Sequence, residues 1–151
     1  MEEENIRVIS SIIIPSPFDK KKFLLVKTAK DGKWGLVGGK VSPFENYKRA
    51  IAREAKEEID IEIVTDYLVG IYWTKSARGH AIINHVFTGR IYEREPKINE
   101  KNKILEIAYL TLGEIRRLDE TNQLRSKSNL PSIEDYLAGE KLEESSIVKE
   151  Y

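Results

Sequence analysis

Three glutamates, at positions 54, 57 and 58, have a spacing suited to metal binding. The segment from Asn46 to Ile59 contains no Gly or Pro and is rich in good helix formers, so we predict a helix there. At about 100° per residue, the carboxylates of Glu54, Glu57 and Glu58 share one helix face. Like charges at this spacing cost roughly 0.2 to 0.5 kcal/mol per pair, and the helix dipole disfavours anions in the last turn. A bound cation would offset both penalties, and oxygen ligands indicate Mg²⁺ or Mn²⁺ rather than zinc.

A solvated acidic face is the alternative interpretation of these glutamates, because most charge runs lie at the protein surface. The residues before the helix favour a ligand site instead. Gly38 and Gly39 allow close approach of the backbone to a ligand, or a positive φ angle. Glu45 and Arg53 form an opposite-charge pair on either side of the helix start. We therefore interpret this stretch as a metal site.

Residues 39–61 resemble the Nudix box, G-x5-E-x7-R-E-U-x-E-E-x-G-U, in which U is an aliphatic residue. The fixed charged positions make this a specific signal. Asp60 stands where the family usually has Gly. Because Asp tolerates a left-handed helix end better than most non-glycine residues, we expect this departure to affect stability rather than chemistry. The matching positions are Gly39, Glu45, Arg53, Glu54, Ala55, Glu57, Glu58 and Ile61.

The resemblance implies an enzyme that hydrolyses a diphosphate linkage with one to three Mg²⁺ or Mn²⁺ ions. It implies that Glu54, Glu57, Glu58 and the Gly38 carbonyl bind the metal. Glu54 or a downstream carboxylate would act as the base toward the attacking water. Arg53 would orient Glu45 or Glu54, since an arginine fork can hold a carboxylate through two hydrogen bonds.

Four further residues are candidates for substrate binding, each with a simpler interpretation. In many Nudix proteins a basic residue near Lys27 contacts phosphate, although a lysine ending a strand often faces solvent. Trp34 could stack on a base or pack in the core. Arg78 could bind phosphate or lie at a solvated loop tip. Glu106 occupies roughly the place where related hydrolases have an acidic residue that contacts the base or a metal.

The resemblance implies an α/β fold, an α/β/α sandwich around a mixed β-sheet. The β-branched run at 6–14 predicts a first strand, which we expect to form a hairpin with, or lie beside, a strand at 23–28. Asn46 is predicted to cap the helix, which leaves Glu45 in the loop. Charge density at 93–103 predicts a mobile loop. Further strands are predicted at 62–73, 81–92 and 104–112, and further helices at 113–119 and from about 130 to 139.

The amino-acid composition limits the classes of protein to which the chain can belong. The chain has 151 residues, of which 40% are hydrophobic and 33% charged, as expected for one soluble domain, here residues 1–139 with a tail at 140–151. Lys+Arg and Asp+Glu are equal at 25 each, so no global field favours polymeric nucleic acid or a membrane. The absence of cysteine excludes disulfides and thiol catalysis. An acidic start and the lack of a membrane-length apolar run favour the cytoplasm.

Substrate identity stays open at the level of sequence. Residues 74–79 contain no Pro or Tyr, so they lack the marks of the ADP-ribose and dinucleoside polyphosphate branches. Our first expectation is a nucleoside triphosphate or modified nucleotide, cleaved to the monophosphate and pyrophosphate. ADP-ribose or another nucleoside diphosphate derivative is the second. A non-catalytic nucleotide-sensing module and trimming of triphosphorylated RNA ends are further alternatives, and a homodimer is possible.

Overall fold

The computed structural model describes residues 5–143 and residue 149. Within that part of the chain there are seven strands and three helices. In chain order they are β1 (Ile6–Ile13), β2 (Lys22–Thr28), β3 (Trp34–Gly35), β4 (Val37–Lys40), α1 (Tyr47–Ile59), β5 (Glu62–Lys75), β6 (Ala81–Glu93), β7 (Ile104–Thr111), α2 (Leu112–Glu120) and α3 (Asn129–Leu137).

The strands form two sheets. The larger sheet has the order β4-β1-β6-β5, and it is mixed because β1 runs parallel to β6 and antiparallel to β4. The smaller sheet, β3-β2-β7, is antiparallel. The predicted pairing of the first two strands is wrong, because β1 and β2 belong to different sheets. Only a bridge between Pro15 and Phe23 joins the two at the crossover. Pro15 and Pro17 end the first strand there, since proline has no N–H for a ladder.

Hydrophobic residues alternate between two cores, one on each side of the sheets. In β1, Ile12 faces the first core and Ile13 the second, as a period of two requires. Helix α1 covers the first core, whereas α2 and α3 cover the second with Ile115 and Ile133. The α/β/α sandwich is therefore confirmed. The residues that α1 buries in the first core are Ile51, Ala55 and Ile59.

Both ends of α1 agree with the sequence prediction. The Asn46 side chain accepts a hydrogen bond from the Arg49 backbone N–H at 3.0 Å, which confirms Asn46 as the N-cap. Asp60 ends the helix in the left-handed conformation, with φ 53° and ψ 43°. Its N–H donates to the Lys56 carbonyl at 3.1 Å. Aspartate thus takes the conformation for which the family usually uses glycine.

The chain beyond α3 returns to the edge of the larger sheet. The Leu142 N–H donates to the Leu68 carbonyl of β5 at 2.9 Å, and the Leu142 side chain packs against the first core. Residues 144–148, 150 and 151 of the predicted tail lie outside the described residues. No helix among the described residues is long and apolar enough to cross a bilayer.

Candidate active site

Two glycines of β4 bring the backbone and a carboxylate close together. Gly38 pairs with Ser11 of β1, and its φ is +155°; a Cβ at Gly38 would lie 2.2 Å from the Ser10 carbonyl oxygen. A Cβ at Gly39 would lie 2.6 Å from Oε1 of Glu54. Any side chain at Gly38 would therefore push β4 from β1, and one at Gly39 would displace Glu54.

Arg53, in the middle of α1, contacts three carboxylates. Its Nε and Nη2 donate to the Glu45 carboxylate, and the shortest distance is 2.6 Å, from Nη2 to Oε1. Its Nη1 donates to Glu54 at 3.0 Å and to Glu57 at 3.2 Å, while Nη2 also donates to the Lys40 carbonyl at 3.1 Å. Hydrogen bonds from Arg53 hold the pKa of Glu45 below its ordinary value, so Glu45 stays ionised. The sequence suggests that Arg53 orients Glu45 or Glu54; in the structure it contacts both, and Glu57 as well.

Glu58 is the buried carboxylate of the site, with 6% of its surface exposed. Burial, together with a hydrogen bond to Glu54, raises the pKa of Glu58 to about 9. Glu58 therefore holds its proton at neutral pH, since burial and the neighbouring Glu54 both disfavour its charged form. Oε2 of Glu58 has no hydrogen-bond partner among the described residues. A buried oxygen in this state is costly unless another group satisfies it.

The donor set fits a divalent cation at Glu54 and Glu58. A cation would satisfy Oε2 of Glu58 and replace the proton that Glu58 holds, and carboxylate oxygens are the ligands that Mg²⁺ and Mn²⁺ prefer. Glu57 instead bonds to Arg53 and leaves 44% of its side chain exposed. Accordingly, the described residues contain no group of three acidic, His or Cys side chains already gathered around one point. Glu57 would join the other two only by leaving Arg53.

Glu58 also lines a cleft of about 430 Å³ beside the carboxylate pair. Two residues that the sequence analysis misses lie in or beside this cleft. Glu100, whose negative charge acts on Glu58, pairs with Lys103 at 3.1 Å, and Arg125 reaches the cleft from beyond α2. The signal available in the sequence was the charged segment at 93–103. The cleft is lined by Thr28, Ala29, Lys30, Asp31, Glu58, Asn102, Lys103, Ile104 and Arg125.

The charged segment is fixed to the end of α1. The Lys97 N–H donates to the Ile59 carbonyl, and the Asn99 N–H donates to the Glu58 carbonyl, both at 3.0 Å. The Asn99 side chain adds a hydrogen bond to the Glu57 carbonyl at 3.2 Å. The expected mobile loop is therefore attached by its backbone at two points, and these contacts bring Glu100 toward Glu58.

The four candidates for substrate binding divide into two groups. Lys27 pairs across the smaller sheet with both Trp34 and Glu106, so these three lie side by side. They lie on the face toward α2 and α3, because Trp34 packs against the second core and paired residues share a face. The carboxylates of α1 lie on the opposite side. Arg78 is exposed at the tip of the β5–β6 hairpin, and Glu106 is also exposed.

A helix that carries these carboxylates after a Gly-Gly strand, within an α/β/α sandwich, defines a Nudix hydrolase domain. The family profile described as NUDIX domain matches residues 7–131. The chain therefore belongs to the Nudix family, and it is a hydrolase of pyrophosphate bonds. Nudix hydrolases generally need divalent metal ions and bind small nucleotide substrates.

Solved structures share this fold over nearly the whole chain. A Nudix hydrolase from Nitrosomonas europaea is 26% identical with a TM-score of 0.83, over 97% of this chain and 98% of that one. A MutT Nudix hydrolase from Burkholderia pseudomallei is 24% identical with a TM-score of 0.71, over 87% and 98%. The NUDIX domain of Shewanella oneidensis NrtR, complexed with ADP ribose, is 16% identical with a TM-score of 0.68, over 92% and 90%. Comparison with curated proteins gives no match.

Proposed function

We propose that this protein hydrolyses a nucleoside triphosphate or modified nucleotide to the monophosphate and pyrophosphate, with Mg²⁺ or Mn²⁺. The observation that carries the proposal is the buried Glu58, whose unpartnered oxygen lies beside Glu54 and next to a cleft with three cationic side chains. Carboxylates suit the metal, and cations suit a chain of phosphates. The charge balance of the chain favours a small nucleotide over a polymer.

In this proposal Glu54, Glu57, Glu58 and the Gly38 carbonyl hold the metal. When bound, the metal neutralises the phosphoryl oxygens and lowers the pKa of a coordinated water. Arg53 and Glu45 fix the orientation of Glu54, since Arg53 is bonded to both. Their role is positioning, because Glu45 is held in the loop by the Arg53 fork and by the Ser42 N–H at 3.0 Å.

The reaction forms one P–O bond and breaks another. The oxygen of water bonds to phosphorus, the bridging P–O bond breaks, and pyrophosphate leaves with the electron pair of that bond. A carboxylate accepts the proton of the water. Glu54 is the first candidate for this base, and Glu100 is a downstream candidate, because its negative charge acts on Glu58. Glu106 is the weaker choice, because it is exposed on the other face of the smaller sheet.

A nucleotide panel tests the proposal. The protein with Mg²⁺ is given nucleoside triphosphates, modified nucleotides and ADP-ribose, and phosphate is measured with and without added pyrophosphatase. Phosphate that is seen only with pyrophosphatase identifies pyrophosphate as the product. Glu58→Gln should lose at least about 100-fold in turnover, while the change Glu134→Gln, at an exposed position of α3, should leave turnover unchanged. Absence of turnover on every triphosphate would overturn the proposal.

ADP-ribose hydrolysis is the second candidate, and one comparison favours it. The NrtR domain, which shares the fold, was solved with ADP ribose bound. An ADP-ribose hydrolase would yield AMP and ribose phosphate, which releases no pyrophosphate. A parallel reaction with added alkaline phosphatase, which releases phosphate from AMP and ribose phosphate but not from intact ADP-ribose, therefore detects the second candidate. A cytoplasmic location, a domain boundary at residue 139 and a homodimer stay predictions from the sequence.

A further inference from the structure

Arg125 is held in place by the backbone rather than by an acidic side chain. Its Nη2 donates to the Leu36 carbonyl at 3.0 Å, and its own N–H donates to the Trp34 carbonyl at 2.7 Å. The guanidinium lies flat against Gly35, where an added Cβ would be 3.0 Å from Nε and 3.1 Å from Nη2. The absence of a side chain at Gly35 is what makes room for it.

The guanidinium keeps most of its hydrogen-bonding capacity. Of the five N–H groups of the guanidinium, only the one that donates to the Leu36 carbonyl has a partner among the described residues. None of the ion pairs formed between residues 5 and 143 includes Arg125. Arg125 and Glu58 line the same cleft, and the charge of Arg125 acts on Glu58. An oriented arginine with open donors at a cleft is suited to bind an anion through two hydrogen bonds.

Two lysines strengthen the positive charge of this cleft. Lys30 and Lys103 line it together with Arg125, and Glu58 and Asp31 are the acidic residues of the lining. Lys103 is paired with Glu100 at 3.1 Å, whereas Lys30 forms no ion pair with a described residue. A metal ion bound by the carboxylates of α1 would leave Arg125 and Lys30 as the lining cations that form no ion pair with a described residue. A terminal phosphate carries close to two negative charges at neutral pH, while a phosphate inside a diphosphate diester carries one. The cleft therefore matches the end of a phosphate chain better than its middle.

We propose that Arg125 binds the terminal phosphate of the substrate across the cleft from Glu58 and thereby selects triphosphates over ADP-ribose-type diphosphates. This inference rests on the proposed function and adds the residue that determines the substrate class. The terminal phosphate leaves as part of pyrophosphate, so Arg125 contacts the leaving group. Both phosphates of ADP-ribose are internal, and that substrate gains little from Arg125.

The test measures kcat and KM of the full chain for a triphosphate and for ADP-ribose. Arg125→Gln should lower kcat/KM for the triphosphate roughly 10- to 100-fold, as expected for the loss of charge-assisted hydrogen bonds. The same variant should lower kcat/KM for ADP-ribose by less than about threefold. Arg125→Lys keeps the charge but loses the fork, and should fall between wild type and Arg125→Gln. Arg116→Gln, which removes the same charge from an exposed position on α2, should leave kcat/KM for both substrates unchanged.

Gly35→Ala supplies an independent arm of the test. Its methyl group would displace the guanidinium without removing its charge, so the triphosphate should again lose more than ADP-ribose. Equal losses on both substrates, or no loss in Arg125→Gln, would overturn the inference. Melting temperatures of all variants identify any that fail to fold.

Binding of inorganic tripolyphosphate, measured by calorimetry in EDTA, separates this inference from the proposed function. Wild type should bind tripolyphosphate at least about 10-fold more tightly than Arg125→Gln. Equal affinities would overturn the role of Arg125 even if triphosphate turnover is present. If no triphosphate is hydrolysed while this difference in affinity persists, the proposed function fails and the phosphate site stands.

Discussion

Arg53 contacts more of the site than any other residue described in it. It bonds to Glu45, Glu54 and Glu57 and to the Lys40 carbonyl, and so connects the loop, the helix and β4. A lysine has one ammonium group in place of the planar fork, and it cannot reproduce this set of directions. The effect of Arg53 on catalysis should therefore come from geometry as much as from charge.

Arg53→Lys should lower kcat at least about 100-fold, because Glu54 loses the donor that orients it. Kinetics under saturating Mg²⁺ measure this change, and circular dichroism reports whether α1 persists. The matched variant is Arg49→Lys, on the exposed side of the same helix, which should behave like wild type. Full activity of Arg53→Lys would show that charge alone is sufficient.

Asp60 has two opposing effects on stability. Its left-handed conformation costs roughly 1 to 2 kcal/mol relative to glycine. Against this, Lys56, Arg94 and Lys97 lie 3.4 to 3.5 Å from its carboxylate, and such exposed ion pairs weaken in salt. Asp60→Gly should therefore raise Tm by a few degrees in about 1 M NaCl, and by less at low salt, with turnover nearly unchanged. A lower Tm at high salt, or a large loss of turnover, would contradict this account.

At the scale of elements, the contact between α1 and the larger sheet includes a half-buried histidine. His85 of β6 stacks on Tyr47, the first residue of α1, with ring centroids 5.2 Å apart. Burial lowers the pKa of His85, and its Nδ1 has no hydrogen-bond partner among the described residues. His85 thus packs between α1 and the larger sheet.

This burial predicts a loss of stability in mild acid. As pH falls below about 6.5, the unfolded chain binds a proton at His85 while the folded protein resists it, so the free energy of unfolding decreases. His85→Phe removes the proton and preserves the ring. Its Tm should therefore fall less than that of wild type between pH 7.5 and pH 5.5. Parallel slopes for both proteins would show that His85 does not contribute.

The elements also show how far sequence reasoning extends. The caps of α1 were predictable because Asn46 and Asp60 act through local hydrogen bonds and local backbone preference. The separation of β1 and β2 into different sheets was not, since sheet partners are chosen by long-range packing. Arg125 was missed for the same reason. It lies about ninety positions from Leu36, and no motif connects the two.

At the scale of the molecule, metal binding should be coupled to folding. Glu58 holds a proton that a divalent cation would replace, and a ligand that binds only the folded state stabilises it. Mg²⁺ added to the chelated protein at a hundredfold excess over Kd should stabilise the folded state by about 2.7 kcal/mol, which raises Tm by roughly 5 to 11 °C. EDTA should abolish turnover. Glu58→Gln should show little rise in Tm, and an equal rise would place the ion elsewhere.

The hydrogen bond from the Leu142 N–H to the Leu68 carbonyl lies at the edge of the larger sheet. β5 is the last strand in the order of that sheet, and Leu142 closes one of its outward backbone groups. The unpaired backbone groups of an exposed edge strand can form hydrogen bonds with strands of other chains. A protein shortened after residue 139 should therefore be folded and active when dilute, yet self-associate as its concentration rises. The segment after α3 would then act as a guard against aggregation, independent of catalysis.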